Sequence, residues 1–151
     1  MIDLDPARCY SLHMKNYETI DVSGDAGIKG YGETIEHAFT NTAMGMYSLI
    51  TDPEFVKGEK TITVSVESTS LDGLLISWLN ELIFLFDTYG FVGKEIIITA
   101  FGDMKIVADV AGEDFDPERH EKRLLIKAAT YHQLNIEEKD RVWVTHVIFD
   151  I

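Results

Sequence analysis

The chain has 151 residues, 46% hydrophobic and 11% aromatic, which is enough for one folded domain with a real core and excludes a disordered chain. Its 13 basic residues face 26 acidic ones, a formal charge of -13, which disfavours direct nucleic-acid binding and suits a basic partner or a bound cation. A single cysteine, Cys9, excludes an internal disulfide framework and a cysteine-rich zinc site.

Residues 1–13 carry little pattern and read as an N-terminal extension, with a single domain over residues 14–151. Charges are scattered through the first fifteen residues, so no signal-peptide core is visible. The most apolar run, residues 74–86, is broken by Asn80 and Glu81 and is too short to span a bilayer. The expected location is the cytoplasm, with no membrane association.

Residues 17–22 and 26–31 read as two short strands joined by a turn that carries Asp21 and Asp25. Glycines follow at Gly27, Gly30 and Gly32, without the strand-turn-helix order of a dinucleotide fingerprint. Two readings stand for this stretch. It is an ordinary acidic turn, or it brings backbone and carboxylate oxygens to an ion or a phosphate. Thr34 then reads as a helix N-cap with Glu36 in the first turn, and Ile35, Ala38, Phe39, Ala43, Met46 and Ile50 follow at helical spacing up to Asp52-Pro53.

Residues 61–67 alternate cleanly, with Ile62, Val64 and Val66 on one face, which predicts a half-buried strand. A second helix is predicted from Ser70 to Tyr89 with Gly90 at its C-terminal cap, apolar on nearly every side and therefore covered on more than one. Asn80 and Glu81 interrupt that apolar wall. Glu81 is either a site residue or part of one polar stripe.

Residues 95–101 and 104–110 predict a hairpin through a two-residue turn at Gly102-Asp103 of type II′, and residues 112–120 an acidic loop with Glu113, Asp114 and Asp116. Strands over 123–131, 134–137 and 142–148 complete an α+β fold of about seven mostly antiparallel strands with two main helices packed on the sheet.

In the strand 123–131, Lys127 projects from an otherwise aliphatic run. It either snorkels to water or reaches a carboxylate or phosphate. The five histidines show no paired-ligand spacing, and no P-loop or nucleophile elbow is present, so no catalytic constellation is expected. The sequence closes on Phe149-Asp150-Ile151 straight from a predicted strand. Asp25, Asp150 and the backbone oxygens of Ile151 would offer three anionic or carbonyl contacts to a hard cation, which such like-charged groups need in order to sit together.

These residues carry a resemblance. Asp21-Val22-Ser23-Gly24-Asp25-Ala26-Gly27-Ile28 with Tyr31-Gly32, then Trp78-Leu79-Asn80-Glu81-Leu82, Lys127-Ala128-Ala129-Thr130-Tyr131-His132 and the ending Val147-Ile148-Phe149-Asp150-Ile151 resemble the archease family from about residue 17 to 151. Val22 stands where that family's opening motif, Asp-His-Thr-Ala-Asp, has histidine. The resemblance implies a non-catalytic activator of an RtcB-type RNA-splicing ligase, promoting GTP-dependent guanylylation and repeated turnover in tRNA splicing. It further implies a divalent cation at Asp25, Asp150 and Ile151 (Ca²⁺ expected, Mg²⁺ or Mn²⁺ as alternatives). Lys127 and Asp21 are then the contacts to the ligase or its active site. Two other readings stay open: a small metal-dependent phosphohydrolase using Asp25 and Asp150, and a general chaperone or scaffold with a structural cation.

Overall fold

The computed structural model describes residues 16–151. The extension expected over residues 1–13, with Cys9, lies outside the described residues. Strands β1 (Tyr17–Val22) and β2 (Asp25–Gly32) form a hairpin through Ser23-Gly24. Gly24 takes φ 78, a left-handed conformation that a residue with a Cβ resists. Helix α1 (Ile35–Ile50) follows, its start secured by the Thr34 hydroxyl, which accepts from the His37 N–H. A 3-10 turn, Pro53–Phe55, leads to strand β3 (Lys60–Glu67).

Helix α2 (Leu71–Tyr89) opens on the Ser70 hydroxyl, which accepts from the Gly73 N–H, and closes on Gly90 at φ 72. The remaining strands are β4 (Phe91–Gly102), β5 (Lys105–Asp114), β6 (Ala128–Lys139) and β7 (Val142–Asp150). Both predicted helices and the predicted α+β class are thus present.

The seven strands divide into two antiparallel sheets rather than one. Their orders are β1-β2-β7-β6 and β3-β5-β4. Helix α1 packs on β1, β2 and β7 and also reaches β4, while α2 packs on β6 and on β3, β4 and β5. The helices therefore serve both sheets, which explains why α2 is apolar nearly all round. Trp78, Leu79 and Leu82 are fully buried, and the Trp78 indole N–H donates to the Phe39 carbonyl at 3.1 Å, joining the two helices.

Gly30 lies where β2 passes close against α1. A Cβ there would lie 2.1 Å from the Thr42 hydroxyl, so no other residue fits while Thr42 and Thr145 share their buried hydrogen bond.

Three local expectations are corrected. The hairpin turn is Asp103-Met104, not Gly102-Asp103. Gly102 pairs with Lys105, and both turn residues have positive φ (52 and 58), the twist of a type I′ turn, which matches that of the strands it joins. Glu113 and Asp114 belong to β5, not to a loop. The strands predicted at 123–131 and 134–137 are one strand, β6, starting at Ala128, with a register shift between Thr130 and Asn135 and Gln133 at φ 54. Residues 121–127 are irregular, so Lys127 precedes the strand instead of lying within it. No helix among the described residues is long and apolar enough to cross a membrane.

Candidate functional site

The four-stranded sheet joins the first hairpin to the last strand. Ala26 on β2 pairs with Phe149 on β7, both turned to the core and buried. Continuing that register by one step brings Asp25 level with Asp150, and strand alternation assigns both to the face away from the helices. Asp150 is paired on its other side with Ala128 of β6, and the Lys127 N–H donates to the Asp150 carbonyl at 2.8 Å. Ile151 follows, its side chain packed against the margin of the core.

Four predicted site residues, Asp25, Asp150, Ile151 and Lys127, are therefore gathered at one corner of one sheet. Asp25 is half-buried; Asp150 and Lys127 are exposed. Asp21 pairs with Ala26, so alternation places it on the opposite face of the edge strand, exposed and apart from the corner.

Among the described residues no set of three His, Cys, Asp or Glu side chains is placed to hold a metal. The corner offers instead two carboxylates and the backbone oxygens of Ile151. All are hard oxygen donors, which suit Ca²⁺, Mg²⁺ or Mn²⁺ and not a soft metal. Among the described residues neither carboxylate accepts a hydrogen bond from another side chain. The donor chemistry fits a divalent cation.

Asn80 supports this corner in a way that the sequence pattern did not reveal. Its Oδ1 accepts from the Ala129 N–H at 2.8 Å, fastening the start of β6, an edge strand, to helix α2. Glu81 beside it is half-buried on the same polar stripe. An amide at that point of an apolar helix signals a backbone partner, but nothing local says which one.

A second charged cluster, also missed, lies at the end of β5. Glu113 is 4% exposed and binds Arg119, His120 and the Lys57 N–H. The Arg119 guanidinium holds the Glu113 carboxyl down at about 2, against the opposing effect of desolvation, with Lys57 and His120 assisting. The His120 Nδ1 accepts from the Asp116 N–H at 2.8 Å, which places a neutral ring's proton on Nε2, facing Glu113 and the Phe55 carbonyl. His146 is likewise engaged: its Nδ1 donates to the Gln133 carbonyl at 2.8 Å and braces the bulge of β6. His132, expected at a strand end, is exposed inside that bulge.

Residues 17–151 match the Archease protein family. The chain is 36% identical over 146 residues to "Protein archease" of Methanosarcina mazei, covering 91% of this chain and 97% of that one. It is 34% identical over 150 residues to "Protein archease" of Pyrococcus furiosus, covering 91% of this chain and all of the other. The solution structure of protein 1598 from Methanobacterium thermoautotrophicum superposes with a TM-score of 0.78 at 33% identity, over 91% of this chain and 100% of that one. An archease from Thermotoga maritima, described as a possible chaperone, shares the fold at a TM-score of 0.62 and 18% identity, over 92% and 98% of the two chains.

Proposed function

The chain belongs to the archease protein family, and on that premise we propose that it is a non-catalytic protein activator of an RtcB-type RNA-splicing ligase. It would promote GTP-dependent guanylylation of the ligase and so its repeated turnover in tRNA splicing. The observation that carries this reading is the corner where the pairing of Ala26 with Phe149 leaves the adjoining Asp25 and Asp150 at the ends of neighbouring strands, while the Lys127 N–H holds the Asp150 carbonyl. Two carboxylates without a side-chain partner among the described residues, with the exposed Lys127 on the adjoining chain, form a small polar tip able to meet a metal- and phosphate-handling active site.

Asp25, Asp150 and the Ile151 backbone oxygens would hold a divalent cation, Ca²⁺ or, in use, Mg²⁺ or Mn²⁺. When bound, that cation neutralises the carboxylates and offers positive charge to a phosphate oxygen. Lys127 adds a second positive charge, and Asp21 a contact on the opposite face. Among the described residues the two histidine rings that make hydrogen bonds, His120 and His146, are engaged with Glu113 and with backbone groups, which suits a binding role better than acid–base chemistry. A net charge of -13 keeps RNA at a distance while steering the protein toward a basic partner.

The test is multiple-turnover ligation of RNA ends by the ligase from the same organism, with GTP and Mn²⁺, at substoichiometric amounts of this protein. The expected result is more turnovers per ligase and faster guanylylation. An unchanged turnover number from a ligase of verified activity overturns the proposal, and a phosphatase screen with Mg²⁺ or Mn²⁺ then tests the hydrolase reading.

A further inference from the structure

The segment between β5 and β6 is irregular, yet it is held along its length. The Arg123 N–H donates to the Ile50 carbonyl at 3.0 Å and the Leu124 N–H to the Leu49 carbonyl at 2.9 Å. The Arg123 guanidinium reaches the Ser48 carbonyl at 2.9 Å. These bonds occupy the carbonyls that the last turn of α1 leaves without helical partners. Ile126 is buried, and Lys127 is fixed through its N–H to Asp150. A segment pinned at this many points nonetheless keeps Leu124 at 39% and Leu125 at 61% exposed.

Its charge is also the reverse of the surface around it. Arg119, Lys122, Arg123 and Lys127 fall within nine residues of a chain that has only 13 basic residues. Glu113 answers Arg119, and Glu121 and Asp52 answer Arg123. Among the described residues Lys122 and Lys127 have no ion pair, and they bracket the two exposed leucines.

We propose that Leu124 and Leu125, flanked by Lys122 and Lys127, form a docking ridge for a protein partner that presents an apolar depression rimmed by carboxylates. The proposal rests on the activator reading, because the ridge runs directly into the corner formed by Asp25, Asp150 and Lys127, and the partner is then the ligase. A carboxylate rim is repelled by most of this acidic surface and attracted at the ridge, which fixes the docking orientation. The pinned backbone presents the leucines already ordered, so little flexibility is lost on binding. A second copy of the chain is the poorer occupant, because an isologous contact would set Lys122 and Lys127 against themselves.

The experiment measures the dissociation constant of the full chain for the ligase at low and high salt. It uses the wild type, the double variant Leu124→Ser/Leu125→Ser, Leu125→Met and Lys122→Glu, with Lys127 untouched. Thermal stability, Ca²⁺ binding and sedimentation of the free chain are followed in parallel. The expected result is about tenfold weaker binding by the double variant, near wild-type binding by Leu125→Met, and a loss with Lys122→Glu that disappears at high salt. Stability and Ca²⁺ binding stay unchanged in all of them.

Binding by the double variant within twofold of wild type overturns the ridge and leaves the activator reading standing. A change in the self-association of the free chain also overturns it, in favour of a contact between copies. A wild-type chain that neither binds nor activates the ligase overturns both.

Discussion

The molecule holds two clusters of charge that have been treated in opposite ways. At one, Glu113 is buried and its carboxylate is answered on every side by Arg119, His120 and the Lys57 N–H, under the 3-10 turn whose Phe55 carbonyl binds the same two side chains. At the other, Asp25 and Asp150 adjoin the paired Ala26 and Phe149 at the ends of neighbouring strands and, among the described residues, receive no hydrogen bond from any side chain. The first is complete and locks the entry to the irregular segment that leads from β5 to β6. The second has no such partners among the described residues and lies where that segment ends. A carboxylate whose partners are all inside the fold acts on stability, and one whose partners are missing points outward to function.

Removing Glu113 is expected to have the largest effect. Glu113→Ala strands the buried His120 and the Arg119 guanidinium, which costs about 3 kcal/mol and lowers the melting temperature by roughly 10 °C, measured calorimetrically. Ligase activation per folded molecule should remain. A variant with unchanged stability would show that the cluster is no lock at all.

Asp25→Asn and Asp150→Asn should behave in the opposite sense. Even the outer partners of a metal site are worth about 10–100-fold, so activation should drop by at least about tenfold, with Ca²⁺ protection against heat lost. The melting temperature without metal should hold or rise slightly, because two facing carboxylates repel. A fall in stability without loss of activation would reverse the contrast between the two clusters.

Asn80→Ala joins the two categories. It removes the acceptor for the Ala129 N–H, costing about 1–2 kcal/mol, and frees the strand start next to Lys127. Activation should fall further than the small stability loss accounts for, yet less than in either aspartate variant.

The gentlest perturbation is acid. The folded Glu113 carboxyl sits near 2 instead of its ordinary 4.5, so its contribution is fully present above about 4.5 and is lost as pH falls toward 2. Denaturant titrations between those limits should show a slope in the wild type that Glu113→Gln reduces. Equal slopes in both would remove Glu113 from the account of acid sensitivity.

Much of the local structure was legible from short windows of residues. Thr34 and Ser70 announced the helix starts, Gly90 the end of α2, and the alternation of Ile62, Val64 and Val66 the strand β3. The failures share one feature, namely that a distant contact overrode the local pattern. The aliphatic run before Ala128 looks like a strand but spends its backbone hydrogen bonds on the carbonyls of α1. Glu113 reads as a loop acid because its partners lie beyond its own strand, on Lys57, Arg119 and His120. Met104 takes up a left-handed turn position because the pairing of β4 with β5 demands it.

The sequence by itself determined the fold class, both helices with their caps, and the identity of the residues at the candidate site, along with the family they resemble. Those properties depend on side-chain type and on periods of two or about four residues, which a single segment carries alone. The tertiary structure alone decided that the strands form two sheets, that β7 lies between β2 and β6, and that Asp25, Asp150 and Lys127 consequently share a corner while Asp21 does not. Pairing of strands more than a hundred residues apart is settled by which faces bury the common core, and no local pattern encodes that choice.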